Sequence, residues 1–267
     1  MNSSSPKGTA VVTGASSGIG AVYADRLAKR GYDLILVARN EDRLNSVAER
    51  IRNDTGSAVT VLPADLNDKA DLARVEFVIR DDQSITLLVN NAGIGSVASV
   101  LDADVDKMEA MIGLNVTALT RLTYAAAPVF VARGGGTIIN IASVVGVAAE
   151  MLNGVYSASK SYVIAFGHSL QKDLADKGIR VQTVLPGATA TEFWDIAGYG
   201  AQKTSPITMS AEDAVDAALA GLDSGERVTI PGLHEGEAWE RWEADRQELS
   251  KKFGNAKPAP RYGAVAA

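Results

Sequence analysis

Residues 9–20 read TAVVTGASSGIG. The first five, Thr9 to Thr13, form a short apolar run of the kind that makes a buried strand. A glycine-rich turn, TGASSGIG (13–20), follows directly. VYADRLAKRG (22–31) then continues with helical periodicity and stops at Gly31, a C-terminal signal. A strand, a glycine-rich turn and a helix in that order open a βαβ unit. In such a turn backbone N–H groups can approach a pyrophosphate, and the helix N-terminus adds partial positive charge. The spacing, Gly14-x3-Gly18-x-Gly20, is looser than the G-x-G-x-x-G of other dinucleotide folds. Taken alone, it also suits a plain tight βα turn.

The same rhythm continues down the chain. DLILVA (33–38) is a continuous apolar run bounded by turns, and 41–56 is an amphipathic helix ending at Gly56. Strands are expected at AVTVLPADL (58–66), ITLLVNNAG (85–93), TIINIAS (137–143), IRVQTVLPG (179–187) and ERVTIPG (226–232). Helices are expected near 69–81, 105–132, 154–177 and 211–223. Strands alternating with helices predict an α/β, Rossmann-type doubly wound fold: seven parallel strands with helices on both faces. No linker or repeat interrupts the pattern, so one domain over 1–267 is expected, its core about 5–250. Two segments stand apart. Residues 188–208 have weak periodicity and follow a strand end, as a lid would. Residues 236–253 form a charged helix with Trp239, Trp242, Leu249 and Phe253 roughly on one face, before a loose tail to 267.

Composition narrows the function. Of 267 residues, 46% are hydrophobic and 22% charged, enough apolar mass for a sizeable core. The net charge of −6 argues against nucleic acid or an anionic membrane as partner. There is no cysteine, which excludes disulfides and thiol catalysis. His168 and His234 are the only histidines, so no metal site is expected. MNSSSPKG at the start lacks the apolar stretch of a secretory signal, and no run is long enough to span a membrane. A cytoplasmic location is the default. The Asn-x-Ser/Thr sequons at Asn2, Asn53 and Asn115 are then chance matches.

Four features carry chemistry. The second strand ends in Ala38-Arg39-Asn40, with a cation and no acid where an acid would bind an adenosine ribose 2′-hydroxyl. Arg39 suits a 2′-phosphate, so NADP(H) is favoured over NAD(H); a plain surface Arg is the alternative. GVYSASKSYV (154–163) sets Tyr156 and Lys160 four residues apart, one above the other on a helix face. A free phenol has a pKa near ~10 and is a poor base at neutral pH. A neighbouring cation favours the phenolate, so Lys160 is expected to lower the Tyr156 pKa. Ser143 ends a strand at the carboxyl edge, where its hydroxyl can donate to a substrate oxygen as charge develops. Asn115 lies within an apolar helix and needs partners if buried.

Together TGASSGIG, NNAG (90–93), Ser143, YSASK (156–160) and PG (186–187) resemble the short-chain dehydrogenases/reductases, in the single-domain branch of that family. The resemblance covers almost the whole chain. It implies a catalytic set of Asn115, Ser143, Tyr156 and Lys160. Lys160 would also hold the nicotinamide ribose, and Asn115 a water in a proton relay through Lys160; a satisfied core Asn is the alternative. For the cofactor it implies Gly14, Ser16, Ser17, Gly18, Ile19 and Gly20 at the pyrophosphate. Asp65 and Leu66, then Asn91, Ala92 and Gly93, would lie by the adenine and its ribose, although Asp65 could instead cap the next helix. Asn90 would tie strands together. Pro186, Gly187, Thr189 and Thr191 would flank the nicotinamide.

The resemblance further implies substrate contacts from the segments after NNAG, Ser143 and PG. Val145, Met151, Phe193 and Trp194, with Ser143 and Tyr156, could line an apolar pocket there. Core packing of the lid is as good an account of the aromatics. No Arg or Lys occurs between 134 and 159. The expected substrate is a neutral, hydrophobic ketone, aldehyde or alcohol. A homodimer or homotetramer through helices 105–132 and 154–177 is expected on resemblance alone. The rival readings are a catalytically silent dinucleotide-binding sensor on the same fold, an NAD-dependent dehydrogenase, and dehydratase or epimerase chemistry.

Overall fold

Each strand is apolar along its length, yet it divides its side chains between two helical layers. The computed structural model describes residues 7–262. The first residues of MNSSSPKG, with the sequon at Asn2, and the last five of the tail lie outside the described residues. The seven strands are β1 (Thr9–Thr13), β2 (Asp33–Ala38), β3 (Val59–Pro63), β4 (Ile85–Asn90), β5 (Gly136–Ile141), β6 (Ile179–Val184) and β7 (Val228–Thr229). They pair in parallel in the order β3-β2-β1-β4-β5-β6-β7. Helices α1 (Gly18–Lys29), α2 (Glu41–Thr55), α3 (Lys69–Asp81), α4 (Val105–Ile112), α5 (Leu119–Ala132), α6 (Gly154–Leu174), α7 (Phe193–Ile196), α8 (Ala211–Ser224) and α9 (Gly236–Ser250) complete the regular structure.

Ala10, Val12, Leu34, Leu36, Leu87 and Val89 face one layer, with Tyr23 and Leu27 of α1, Leu44 and Ile51 of α2, and Leu219 of α8. Val11, Ile35, Val37, Leu88 and Ile138 face the other, with Val75 and Ile79 of α3, Leu122 and Phe130 of α5, and Leu170 of α6. A fully buried Leu, Ile or Val contributes about 1.5–3 kcal/mol. A one-residue slip would exchange the two faces of a strand, so the core also sets the register.

β1 pairs with β2 on one side and β4 on the other. At this reversal of strand order a crevice opens beyond the carboxyl ends. The glycine-rich turn, the Arg39 corner, NNAG, Ser143 and PG all follow strand ends, so they gather at that edge.

Three expectations are refined. The helix foreseen over 105–132 is α4 and α5 joined by a π-helical turn, Gly113–Ala118. The last strand is two residues long. The segment 188–208 holds the four-residue α7, a 3₁₀ turn at Gly200–Thr204, and a bridge between Thr189 and Met209.

The chain divides into two compact units between Gly232 and Leu233. The first carries the sheet. The second contains α9, where Trp239 and Trp242 stack with ring centroids 4.6 Å apart. Glu243–Arg246 and Glu248–Lys251 pair along it, and Phe253 falls beyond its end. Among the described residues no helix is long and apolar enough to cross a membrane.

Candidate active site

The glycine-rich turn is tight because its neighbours leave no room for side chains. Gly14 adopts φ +67°, and a Cβ there would lie 2.8 Å from Asn91 Nδ2. A Cβ at Gly20 would lie 2.2 Å from the Gly14 carbonyl oxygen. The Asn91 amide donates to the carbonyls of Thr13 (2.8 Å) and Gly14 (3.3 Å). Thr13 Oγ1 accepts from the backbone of Asn91 and Ala92, both at 3.0 Å. NNAG therefore braces the turn across the β1–β4 crevice. Asn90 points into the core and ties β4 to β5 through Asn140 (2.9 Å) and to α5 through Thr123 (3.0 Å).

The N-terminus of α1 differs from those of five other helices. Asn40, Asp68, Asp104, Asn153 and Ser210 cap α2, α3, α4, α6 and α8 with side-chain acceptors. Ser17 gives α1 no such cap, and the first turn of α1 has no acid. Donors that a side chain satisfies elsewhere are available here, which fits an anionic group at Ser16–Gly20. A cavity of about 550 Å³ runs from this turn along α1, between Ser17, Gly18, Thr191 and Glu192 at one end and Asp25, Arg26 and Arg50 further on. Arg39 is exposed at the end of β2. Asp65 follows β3, where its carboxylate accepts from the Asn67 amide at 3.0 Å; Asp68, not Asp65, caps α3. Leu66 is buried in the core beside it.

α6 presents Tyr156 and Lys160. Asn153 starts the helix by accepting from the amides of Val155 and Tyr156, and its side chain also donates to Ala98 in the loop after β4. Ser159 Oγ donates to the Tyr156 carbonyl at 2.7 Å and accepts from Asn115 Nδ2 at 3.0 Å. Asn115, in the π turn, also exchanges hydrogen bonds with the Ile94 backbone, 2.9 Å each way. π turns of this kind are common at functional sites. A Cβ at Gly93 would lie 3.1 Å from Asn115 Oδ1 and 3.6 Å from Lys160 Nζ, so both polar atoms converge on that glycine.

The electrostatics differ from the expectation that Lys160 lowers the phenol pKa. Tyr156 is buried, and burial raises its pKa well above the ordinary phenol value; hydrogen bonding with Ser143 opposes the shift. Lys160 Nζ lies 5.7 Å from the Tyr156 ring centroid and donates to the Ile141 carbonyl at 2.9 Å. Burial pushes the Lys160 ammonium down to about 8. Desolvation dominates both groups because apolar side chains close around the pair. Met111, Val145 and Tyr156 form one buried cluster, flanked by Ile94, Met108, Val144, Leu152, Val155 and Phe193.

Phe193 is the roof. Its ring lies 5.4 Å from the Tyr156 ring and meets Trp194 edge-on at 5.3 Å. Trp194 is buried and donates from Nε1 to the Thr189 carbonyl at 2.9 Å, which anchors α7. Thr189 Oγ1 donates to Gly187, and Thr191 Oγ1 accepts from the Phe193 amide. Pro186 accepts from Ser143 Oγ (3.3 Å) and the Val144 amide (3.1 Å), tying the two strand ends together. Met151 stands apart, 62% exposed on a 3₁₀ turn at Ala149–Met151. Met108 and Met111 were missed from sequence, although they lie seven and four residues before Asn115 on one helical face. Nothing local marked the reach of Asn153 to Ala98.

Similarity to known proteins bears on this arrangement. Residues 8–198 match the family model described as short chain dehydrogenase. An uncharacterized oxidoreductase of Staphylococcus saprophyticus is 35% identical over 222 residues, 83% of this chain and 93% of that protein. A short-chain dehydrogenase from Sphingobium yanoikuyae in complex with NADPH is 47% identical, with a TM-score of 0.93 over 96% of this chain and 100% of that one. The bulky-bulky ketone specific alcohol dehydrogenase from Comamonas testosteroni is 42% identical, with a TM-score of 0.88 over 96% and 98%.

Proposed function

The chain belongs to the short-chain dehydrogenase family, and from that premise we propose that it is an NADP(H)-dependent oxidoreductase interconverting a neutral, hydrophobic ketone or aldehyde and its alcohol. The observation that carries this reading is the buried Tyr156 phenol with Lys160 Nζ 5.7 Å from its ring and Ser143 beside it, inside an apolar enclosure at the carboxyl edge of the sheet. The uncapped α1 and the braced Gly14–Gly20 turn support the pyrophosphate site. Arg39 supports the 2′-phosphate, and the NADPH complex of the Sphingobium relative agrees with it.

A bound nicotinamide dinucleotide supplies the hydride for reduction and accepts it in oxidation. The protein handles the proton. Tyr156, whose raised pKa keeps it protonated, delivers its hydroxyl proton to the substrate oxygen. Ser143 donates to the same oxygen as negative charge develops, inside a water-poor site where such a bond is strong. Lys160 would hold the cofactor ribose, and its ammonium can return the proton to Tyr156. Asn115 positions α6 against the loop after β4.

The substrate class follows from the walls. Two acids of the segment after β6 already have partners: Glu192 pairs with Arg43 and Asp195 with Lys203. Val100 and Leu101 after β4, and Ile196 and Tyr199 after β6, are exposed. A Val97–Ala197 backbone bond of 3.2 Å joins those two segments. This apolar rim suits a bulky neutral ketone, the class named for the Comamonas relative.

The test is a carbonyl panel followed by NADPH consumption. Bulky apolar ketones should turn over and 2-keto acids should not. Tyr156→Phe should slow turnover by about 10²–10⁴-fold. A preference for keto acids, or near-normal turnover by Tyr156→Phe, overturns the reading.

A further inference from the structure

Arg43 lies in the first turn of α2, where its backbone amide donates to the Asn40 cap at 2.9 Å. Its guanidinium leaves that helix and meets Glu192 Oε2 at 2.5 Å, across 149 residues of sequence. Glu192 follows Thr191, whose side chain packs on Gly18 at the start of α1. Glu192 also lines the cavity beside that turn. The ion pair therefore links the β2–α2 corner to the segment after β6, next to the residue that packs on the start of α1. Arg39 stands four residues earlier on the same corner, exposed and with no ionic partner among the described residues.

We infer that Arg43 is a second cofactor-discriminating residue, and that Glu192 is its competing ligand: the 2′-phosphate of the dinucleotide displaces the Glu192 carboxylate from Arg43. The inference rests on the NADP(H) reading. Its physical basis is an exchange of like for like. A dianionic phosphate offers the guanidinium the same bidentate acceptor geometry with more charge. Both ends of the existing pair are about half exposed, 52% and 48%, and such pairs are weak enough to exchange. Glu192 is then a built-in competitor that a cofactor lacking the 2′-phosphate has no means to displace. Its neighbour Phe193 roofs Tyr156, so the exchange takes place one residue from the substrate pocket.

The experiment is calorimetric titration of the full chain with 2′,5′-ADP and with 5′-AMP, two probes that differ only in the 2′-phosphate. Wild type should prefer 2′,5′-ADP. Glu192→Gln should tighten 2′,5′-ADP by about 2–5-fold, the strength of an exposed pair, and leave 5′-AMP unchanged. Arg43→Ala should weaken 2′,5′-ADP, and Arg43→Ala with Glu192→Gln should match Arg43→Ala alone. An equal gain for 5′-AMP, or a gain that survives without Arg43, would show Glu192 to be a bare repelling charge and overturn the exchange. Wild-type preference for 2′,5′-ADP that is insensitive to Arg43→Ala overturns the exchange but spares the NADP(H) reading. No wild-type preference removes both.

Discussion

At Lys160 the fold holds an ammonium where little but the Ile141 carbonyl solvates it. Its pKa falls from 10.5 to about 8 for that reason. The folded chain thus binds this proton less tightly than the unfolded chain does. The penalty is fully present below about pH 8 and fades as pH rises toward 10.5. The shift corresponds to at most about 3 kcal/mol. Lys160→Met removes the buried charge but leaves the Ile141 carbonyl unpaired, which takes back about 1–3 kcal/mol. The expected result is that wild type gains stability relative to Lys160→Met between pH 7 and pH 9.5, while the variant loses turnover. Urea unfolding at the two pH values checks it; a pH-independent difference would contradict the buried-charge account. Tyr156 illustrates the same limit on sequence reasoning. Its neighbour at i+4 was legible in YSASK, but the sign of its pKa shift was not. That sign depends on Phe193, Val145 and Met111, which arrive from three other segments.

Among the elements, α7 and the loop after β4 act as a pair. A Cβ at Gly95 would lie 2.3 Å from Phe193 Cζ, so the missing side chain is the seat of the Phe193 ring. Gly95→Ala must push that ring away from Tyr156 or strain the loop. Overpacking of this kind costs about 1–3 kcal/mol. In a double-mutant cycle the loss should largely vanish in a Phe193→Ala background, because the clash is then gone. Additive losses would mean that Gly95 is held by something other than Phe193. From the sequence, 188–208 was legible as a lid-like departure from the helical rhythm. The four-residue α7 was not, since one short turn has no periodicity to detect. The π turn at Asn115 was also hidden. The apolar pattern of 105–132 runs straight through it, and the extra residue is set by bonds to Ile94 and Ser159 rather than by local preference.

For the whole molecule, ligand binding and stability are linked. A nucleotide that binds only the folded chain stabilises it by about 2.7 kcal/mol at a hundred times its Kd. NADPH should therefore raise the melting temperature more than NADH at equal concentration, and Arg39→Ala should narrow the difference. A larger shift with NADH would reverse the cofactor assignment. What the sequence determined by itself was the succession of strands and helices, the seven-stranded parallel sheet and the residues that follow each strand end. Periodicity, glycine turns and βαβ connectivity are written locally, and the handedness of crossovers leaves few other foldings. What only the tertiary structure decided was the company those residues keep. Asn91 bracing the turn, Phe193 roofing Tyr156 and Glu192 holding Arg43 are contacts across 77, 37 and 149 residues of chain. Burial and charge pairing depend on such distant neighbours, and no local pattern encodes them.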